Sequence, residues 1–224
     1  GVAVARGNLG WTLYKLHESD EAQTALQIAI ANSKDIVGNN PKVPGYAEAL
    51  AWRYTRLGDL LFDIGKTAEA TTAYREALAL RERLARDHAH VPDHQYKLAW
   101  LLATCWDPQL RDPKRAVASA NKAVELASEN NTFQTCLGVA HYRAGDWDAC
   151  MTTLDKVAGL RTAGDPIAAF SLAMAHAKLA HQDEAIKWFE KADQWMRDTR
   201  PDDPELIRFR AEAAQLLGLP QASP

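Results

Sequence analysis

The sequence predicts an all-α protein, an α-α superhelix of about five helix pairs closed by one C-terminal capping helix. Three observations carry this. A Leu-Gly or Leu-Ala pair returns along the chain, each time followed by small and large residues at helical spacing. Glycines and Asp-Pro steps fall between those segments, where helices stop and start. No stretch alternates polar and apolar residues as a half-buried strand must.

The first pair, residues 1–40, carries Leu9-Gly10, Leu13, Ala22, Leu26 and Ala29. The second, 44–90, repeats this as Leu57-Gly58, Leu61, Ala70, Tyr74 and Ala77, with a long second helix from Thr67 to His88. In the third, 93–128, Leu98-Ala99 and Leu102 are followed late by Ala116, Ala120 and Ala123, because an insertion around Trp106-Asp107-Pro108 separates the halves. The fourth, 131–160, reads Leu137-Gly138, His141, Cys150, Leu154 and Val157. The fifth, 165–198, reads Leu172-Ala173, His176, Ala185, Phe189 and Ala192. The physical reason is common to all. Small residues sit where two antiparallel helices approach closest, and large ones fill the gap to the next pair. One pair cannot cover its own apolar face, so pairs stack into a single repeat domain, 1–224.

Gly65 and Gly145 are placed to end first helices in a left-handed conformation. Asp112-Pro113, Asp165-Pro166 and Asp203-Pro204 each set an N-cap before a first-turn proline. The last helix, 203–218, alternates Leu206, Phe209, Ala213 and Leu216 with Glu205, Arg208, Arg210 and Glu212, and Gly218 and Pro220 stop it. One apolar and one charged face suit a cap on the stack.

Composition sets bounds on function. The 224 residues are 47% hydrophobic, enough for a sizeable core, and the net charge of −3 lacks the basic footprint of a nucleic-acid binder. No run of about 20 apolar residues is present to span a bilayer. Gly1 to Arg6 do not read as a signal peptide, and the missing Met suggests a piece of a longer chain. Cys105, Cys136 and Cys150 are odd in number and form no CxxC, as expected for small buried residues in a reducing, cytoplasmic setting.

The stretches YTRLGDLLFDIGKTAEATTAYREALAL and TCLGVAHYRAGDWDACMTTLDKV resemble the tetratricopeptide repeat family. The spacings between equivalent small residues are 48, 41, 39 and 35, of which the last is near the family's ~34. The family's proline near the end of the second helix is missing throughout. LAWLLATCWDPQLRDPKRAVASANKAVELA and RFRAEAAQLLGL are similar to the tetratricopeptide tails of planctomycete-type bacterial proteins, many of which carry a serine/threonine kinase domain upstream. The resemblance implies a solenoid that binds a protein or peptide: a scaffold, as a docking or regulatory tail, with self-assembly as the alternative. It does not imply an enzyme, since the Gly-rich loop, HRD and DFG of a kinase are missing from the sequence. No cofactor is expected.

In that family the first helix of each pair lines a concave groove. The repeat register then places Trp11 and Tyr14 in the groove, followed by Trp52, Asp59 and Phe62, then Tyr96 and Trp100. Val139, Tyr142 and Arg143 follow in the fourth pair, and Phe170 and Met174 in the fifth. Thr55 stands on the same face, and Arg56, Lys97 and Lys178 add charge at its edges. The set is rich in aromatic residues, which supply contact area at low entropic cost. The alternative for each ring is packing between helices. A clamp for a terminal carboxylate needs Lys and Asn four apart, but Gly7 and Trp11, then Thr55 and Asp59, hold those positions.

Other groupings read more plainly. His88, His90 and His94 with Asp87 and Asp93 straddle Val91-Pro92, which suits a polar turn better than a metal site, so no metal is expected. His141 and His176 stand where the family has a large residue, and are expected to be packed and hydrogen-bonded. Asp146 and Asp148 beside Trp147 mark a helix start. Trp106 either anchors a partner or plugs a helix junction.

Overall fold

The computed structural model describes residues 19–160 and 165–220. Every regular element among them is helical, and none is a strand. The chain divides into two compact units, Gly1–Asp112 and Pro113–Pro224. The first helix expected at Leu9-Gly10 and Leu13 lies outside the described residues.

The first unit contains α1 (Ser19–Asn39), α2 (Pro44–Asp63), α3 (Thr67–Asp87), α4 (Pro92–Thr104) and a 3-10 turn at Pro108–Leu110. The helices pack in sequence, α1 on α2, α2 on α3 and α3 on α4. Gly58 marks a close approach of α2 to α3: a Cβ there would stand 2.6 Å from Tyr74 Cε1. Tyr74 is 1% exposed, and its hydroxyl donates to Asp59 Oδ1 at 2.7 Å. The glycine admits the ring, and the buried carboxylate one position later satisfies its hydroxyl. Ala22, Leu26, Leu60, Leu61, Ala70 and Ala77 complete the core around it. Gly65 (φ +80°) turns the chain between α2 and α3 in the left-handed region that glycine favours.

The insertion after α4 is ordered by its own polar groups. Asp107 caps the 3-10 turn through Gln109 N (3.0 Å) and accepts from the Thr71 hydroxyl (2.5 Å). Arg111 Nε donates to the Cys105 carbonyl at 2.7 Å, and Asp112 N to the Leu102 carbonyl at 3.1 Å. Trp106 packs half-buried against the core, its ring edge-on to Phe62 at 6.3 Å. It plugs the junction.

The second unit contains α5 (Pro113–Leu126), α6 (Asn131–Ala144), α7 (Trp147–Leu160), α8 (Pro166–Lys178), α9 (Gln182–Thr199) and α10 (Pro204–Leu217). Side-chain caps open four of these helices: Asn130 accepts from Thr132 N, Asp146 from Ala149 N, Asp165 from Ile167 N, and Asp203 from Glu205 N. Asp165 also accepts from the Thr135 hydroxyl at 2.7 Å, which ties the start of α8 to α6. A Cβ on Gly138 would collide with the Leu154 side chain, so α6 and α7 repeat the contact made by α2 and α3. Gly145 (φ +80°) and Gly218 (φ +68°) end α6 and α10. At the matching turn after α8 stands Ala180, with φ +60°.

Helix α8 packs against α6, α7, α9 and α10. Every residue from Pro166 to Ala175 except Ile167 is buried in consequence. No helix among the described residues is long and apolar enough to cross a membrane.

Candidate functional site

The residues expected to line a groove separate into two groups. In the first unit, Trp52 and Phe62 on α2 and Tyr96 and Trp100 on α4 are all partly buried, with Phe62 packed against the core. On α2, positions 52, 55, 56, 59 and 62 recur every three or four residues and share one face. Positions 96, 97 and 100 do the same on α4. The rings are ordered by contacts. Arg56 lies over the Trp52 ring at 5.8 Å, and Tyr96 packs against Trp100 at 6.2 Å. Asp59 is a correction: it is 5% exposed and occupied by Tyr74 and by Arg56 Nη1 at 3.0 Å, so it orders the face rather than contacting a partner.

The second unit corrects more. Val139, Phe170 and Met174 are 0% exposed, and Phe170 packs on Phe189 at 5.8 Å. They are core. Tyr142 is 8% exposed, and burial pushes its hydroxyl up to about 12. Arg143 is committed to Glu212 of α10 through both terminal nitrogens, Nη2 donating to Oε2 at 2.7 Å, and it also lies over Tyr142 and Phe209. The register treats each pair alone. It cannot show that α10 packs along α8 and is tied to α6, which consumes the face assigned to a ligand. Trp11 and Tyr14 lie outside the described residues.

Between α2, α3 and α4 lies a small, partly open cleft lined by Glu48, Ala51, Arg81, Leu84, His94 and Lys97. Lys97 Nζ donates to Glu48 Oε2 at 2.9 Å. His94 Nδ1 is 3.3 Å from Glu48 Oε1 but outside hydrogen-bonding geometry. Burial holds His94 below its ordinary range despite Glu48. Arg81 reaches in from α3, its Nη1 donating to the Lys97 carbonyl and its Nη2 to Thr55 Oγ1, both at 3.3 Å. Burial, helped by Arg56, lowers its guanidinium to about 10, so it stays cationic at neutral pH. Sequence reading missed Glu48, Arg81 and His94 as a group. Arg81 belongs to a second helix, one extra turn beyond the repeat pattern, and the register examines first helices only.

The remaining expectations resolve simply. His88 packs on His94 at 5.5 Å. His141 and His176 are half-buried rather than core, with His141 Nδ1 3.8 Å from Asp146 and His176 Nδ1 3.4 Å from His181 Nδ1. The three cysteines are buried free thiols, and burial raises all three.

Comparison with known proteins agrees with the helical architecture. Tetratricopeptide repeat models match residues 50–93 and 168–198, and a model of anaphase-promoting complex subunit 5 matches 86–144. No curated protein matches the sequence. A thermophilic tetratricopeptide protein of Thermus thermophilus superposes with a TM-score of 0.60 at 18% identity, over 97% of this chain and 100% of that one. PilW, a type IV pilus biogenesis factor, superposes at 0.56 with 14% identity, over 97% of this chain and 87% of that one. Tetratricopeptide repeats are thus matched within residues 50–93 and 168–198, and the all-helical fold of the chain is shared with solved tetratricopeptide proteins.

Proposed function

We propose that the chain is a protein-interaction scaffold that captures an extended or helical peptide on the first unit, across Trp52, Phe62, Tyr96 and Trp100. The observation that carries this is the partial exposure of four large aromatic residues on α2 and α4, the first helices of two successive pairs. A narrower form, resting on the sequence resemblance, is a cytoplasmic docking or regulatory tail of a bacterial signalling kinase. The test is selection of a random-peptide library on the intact chain, followed by Trp52→Ala and Trp100→Ala. Loss of capture with unchanged far-UV circular dichroism supports the reading. Capture unaffected by both variants removes it.

Self-assembly is favoured by one separate observation. Ile36, Val43 and Tyr46, around the α1–α2 turn, are 36%, 44% and 43% exposed. Light scattering across concentration decides this, since a constant monomer mass rules it out.

A further inference from the structure

We propose that the aromatic face of the first unit takes an acidic peptide, and that the carboxylate of an Asp or Glu side chain on that peptide is received at the α2–α3–α4 cleft by Arg81 and Lys97. This rests on the peptide-binding reading above and names the chemistry that the bound segment must carry.

The charges around this small cleft do not balance. Arg56 is paired with Asp59 at 3.0 Å, and Lys97 with Glu48 at 2.9 Å. His94 is held toward its neutral form by burial. Arg81 remains. It has no carboxylate within ion-pair distance among the described residues, and its two hydrogen bonds go to neutral oxygens at 3.3 Å. Each terminal nitrogen keeps a second N–H beyond those bonds. Nε is sealed from solvent and unpaired. A surplus cation in a partly desolvated cleft is costly to keep, and a hydrocarbon side chain of similar length would fill the same space without that cost. The arrangement becomes favourable once an anion arrives, because a charge-assisted bond in a site shielded from water is stronger than one at the surface.

The count also fixes the kind of anion. One surplus charge beside the carboxylate of Glu48 suits a monoanionic carboxylate. A phosphate dianion would face Glu48 with too few cations. The neighbours fix the surroundings of the acid. Lys97 and Tyr96 are adjacent on α4, and Trp100 follows one turn on, so the acid enters beside aromatic residues that cover its apolar neighbours.

The experiment uses the intact chain and a random-peptide library. A selected peptide and its Asn- or Gln-substituted form are titrated by fluorescence anisotropy against the wild type, Arg81→Met and Arg81→Lys. On the proposal, selection enriches one Asp or Glu beside apolar residues. Removing that charge weakens binding to wild type by about tenfold or more, as for a lost charge-assisted bond. Arg81→Met no longer distinguishes the two peptides and melts no lower than wild type, whereas Arg81→Lys retains part of the preference. Peptides that require Trp100 but bind equally well with or without their acid overturn the acid preference and leave the groove reading intact. So does an Arg81→Met variant that discriminates as well as wild type. Selection of no peptide sensitive to Trp100→Ala overturns both. A low-melting Arg81→Met would make the arginine a structural residue, and that too overturns the proposal.

Discussion

Substituting Ala for Gly138 sets two effects against each other, and the structure says which wins. Within a helix, Ala is favoured over Gly by about 0.5–1 kcal/mol. Here the added methyl overlaps the side chain of Leu154, which is 0% exposed and would have to shift within the core. Overpacking a full core costs about 1–3 kcal/mol, so Gly138→Ala is expected to destabilise the second unit by about 1 kcal/mol net. Leu154→Ala alone should cost about 2–5 kcal/mol, as for a large-to-small change at a buried site. It also empties the space that the methyl needs. In the Leu154→Ala background, Gly138→Ala should therefore turn stabilising by about 0.5–1 kcal/mol, from helix propensity alone. Urea denaturation of the four proteins, followed by far-UV circular dichroism, measures the cycle. An equal penalty for Gly138→Ala in both backgrounds would show that the close approach of α6 and α7 is not what excludes a side chain.

Three further expectations follow from individual contacts. Ala180 occupies a left-handed turn at φ +60°, where Gly65 and Gly145 serve elsewhere, so Ala180→Gly should raise stability by about 0.5–1 kcal/mol, strain relief exceeding the entropic cost; an unchanged or lower denaturation midpoint contradicts it. Glu212→Gln removes the charge that holds Arg143, and with Glu212 one-third exposed the loss should be about 1–2 kcal/mol. Faster amide exchange in α6 and α10 with α5 unchanged is the signature, and uniform exchange throughout the unit argues against it. Burial depresses His94, His141 and His176 below their usual 6.5. As pH falls through about 6.5 the unfolded chain takes up protons that the native state refuses, so stability should decline from there downward and be complete above it. His94→Gln should flatten part of that decline in melting temperature against pH, and a decline of undiminished slope assigns it to other groups.

Helix pairing was legible in the sequence because it depends on short-range chemistry. Gly58 and Gly138 mark close approach, Gly65, Gly145 and Gly218 mark left-handed turns, and Asp165 and Asp203 before proline mark helix starts. Each acts on residues within a turn or on the partner helix, and each stands where those residues required it. The partly exposed rings of α2 and α4 share a face for a related reason: a face at helical spacing keeps its direction along one helix. What each face meets was not legible. Val139, Phe170 and Met174 share the register of Trp52 and Trp100, yet they are sealed in the core because α8 is surrounded by four other helices and α6, which carries Val139, packs against α5, α7 and α8. Arg143 and Glu212 lie 69 positions apart, and no periodicity links them. The cleft of Glu48, Arg81, His94 and Lys97 draws on three helices, so only their packing brings the charges together and leaves Arg81 in excess. Local pattern determined which helices exist and which residues they turn inward. Burial and charge balance depend on the sum of all neighbours, and that sum was decided only when the helices packed.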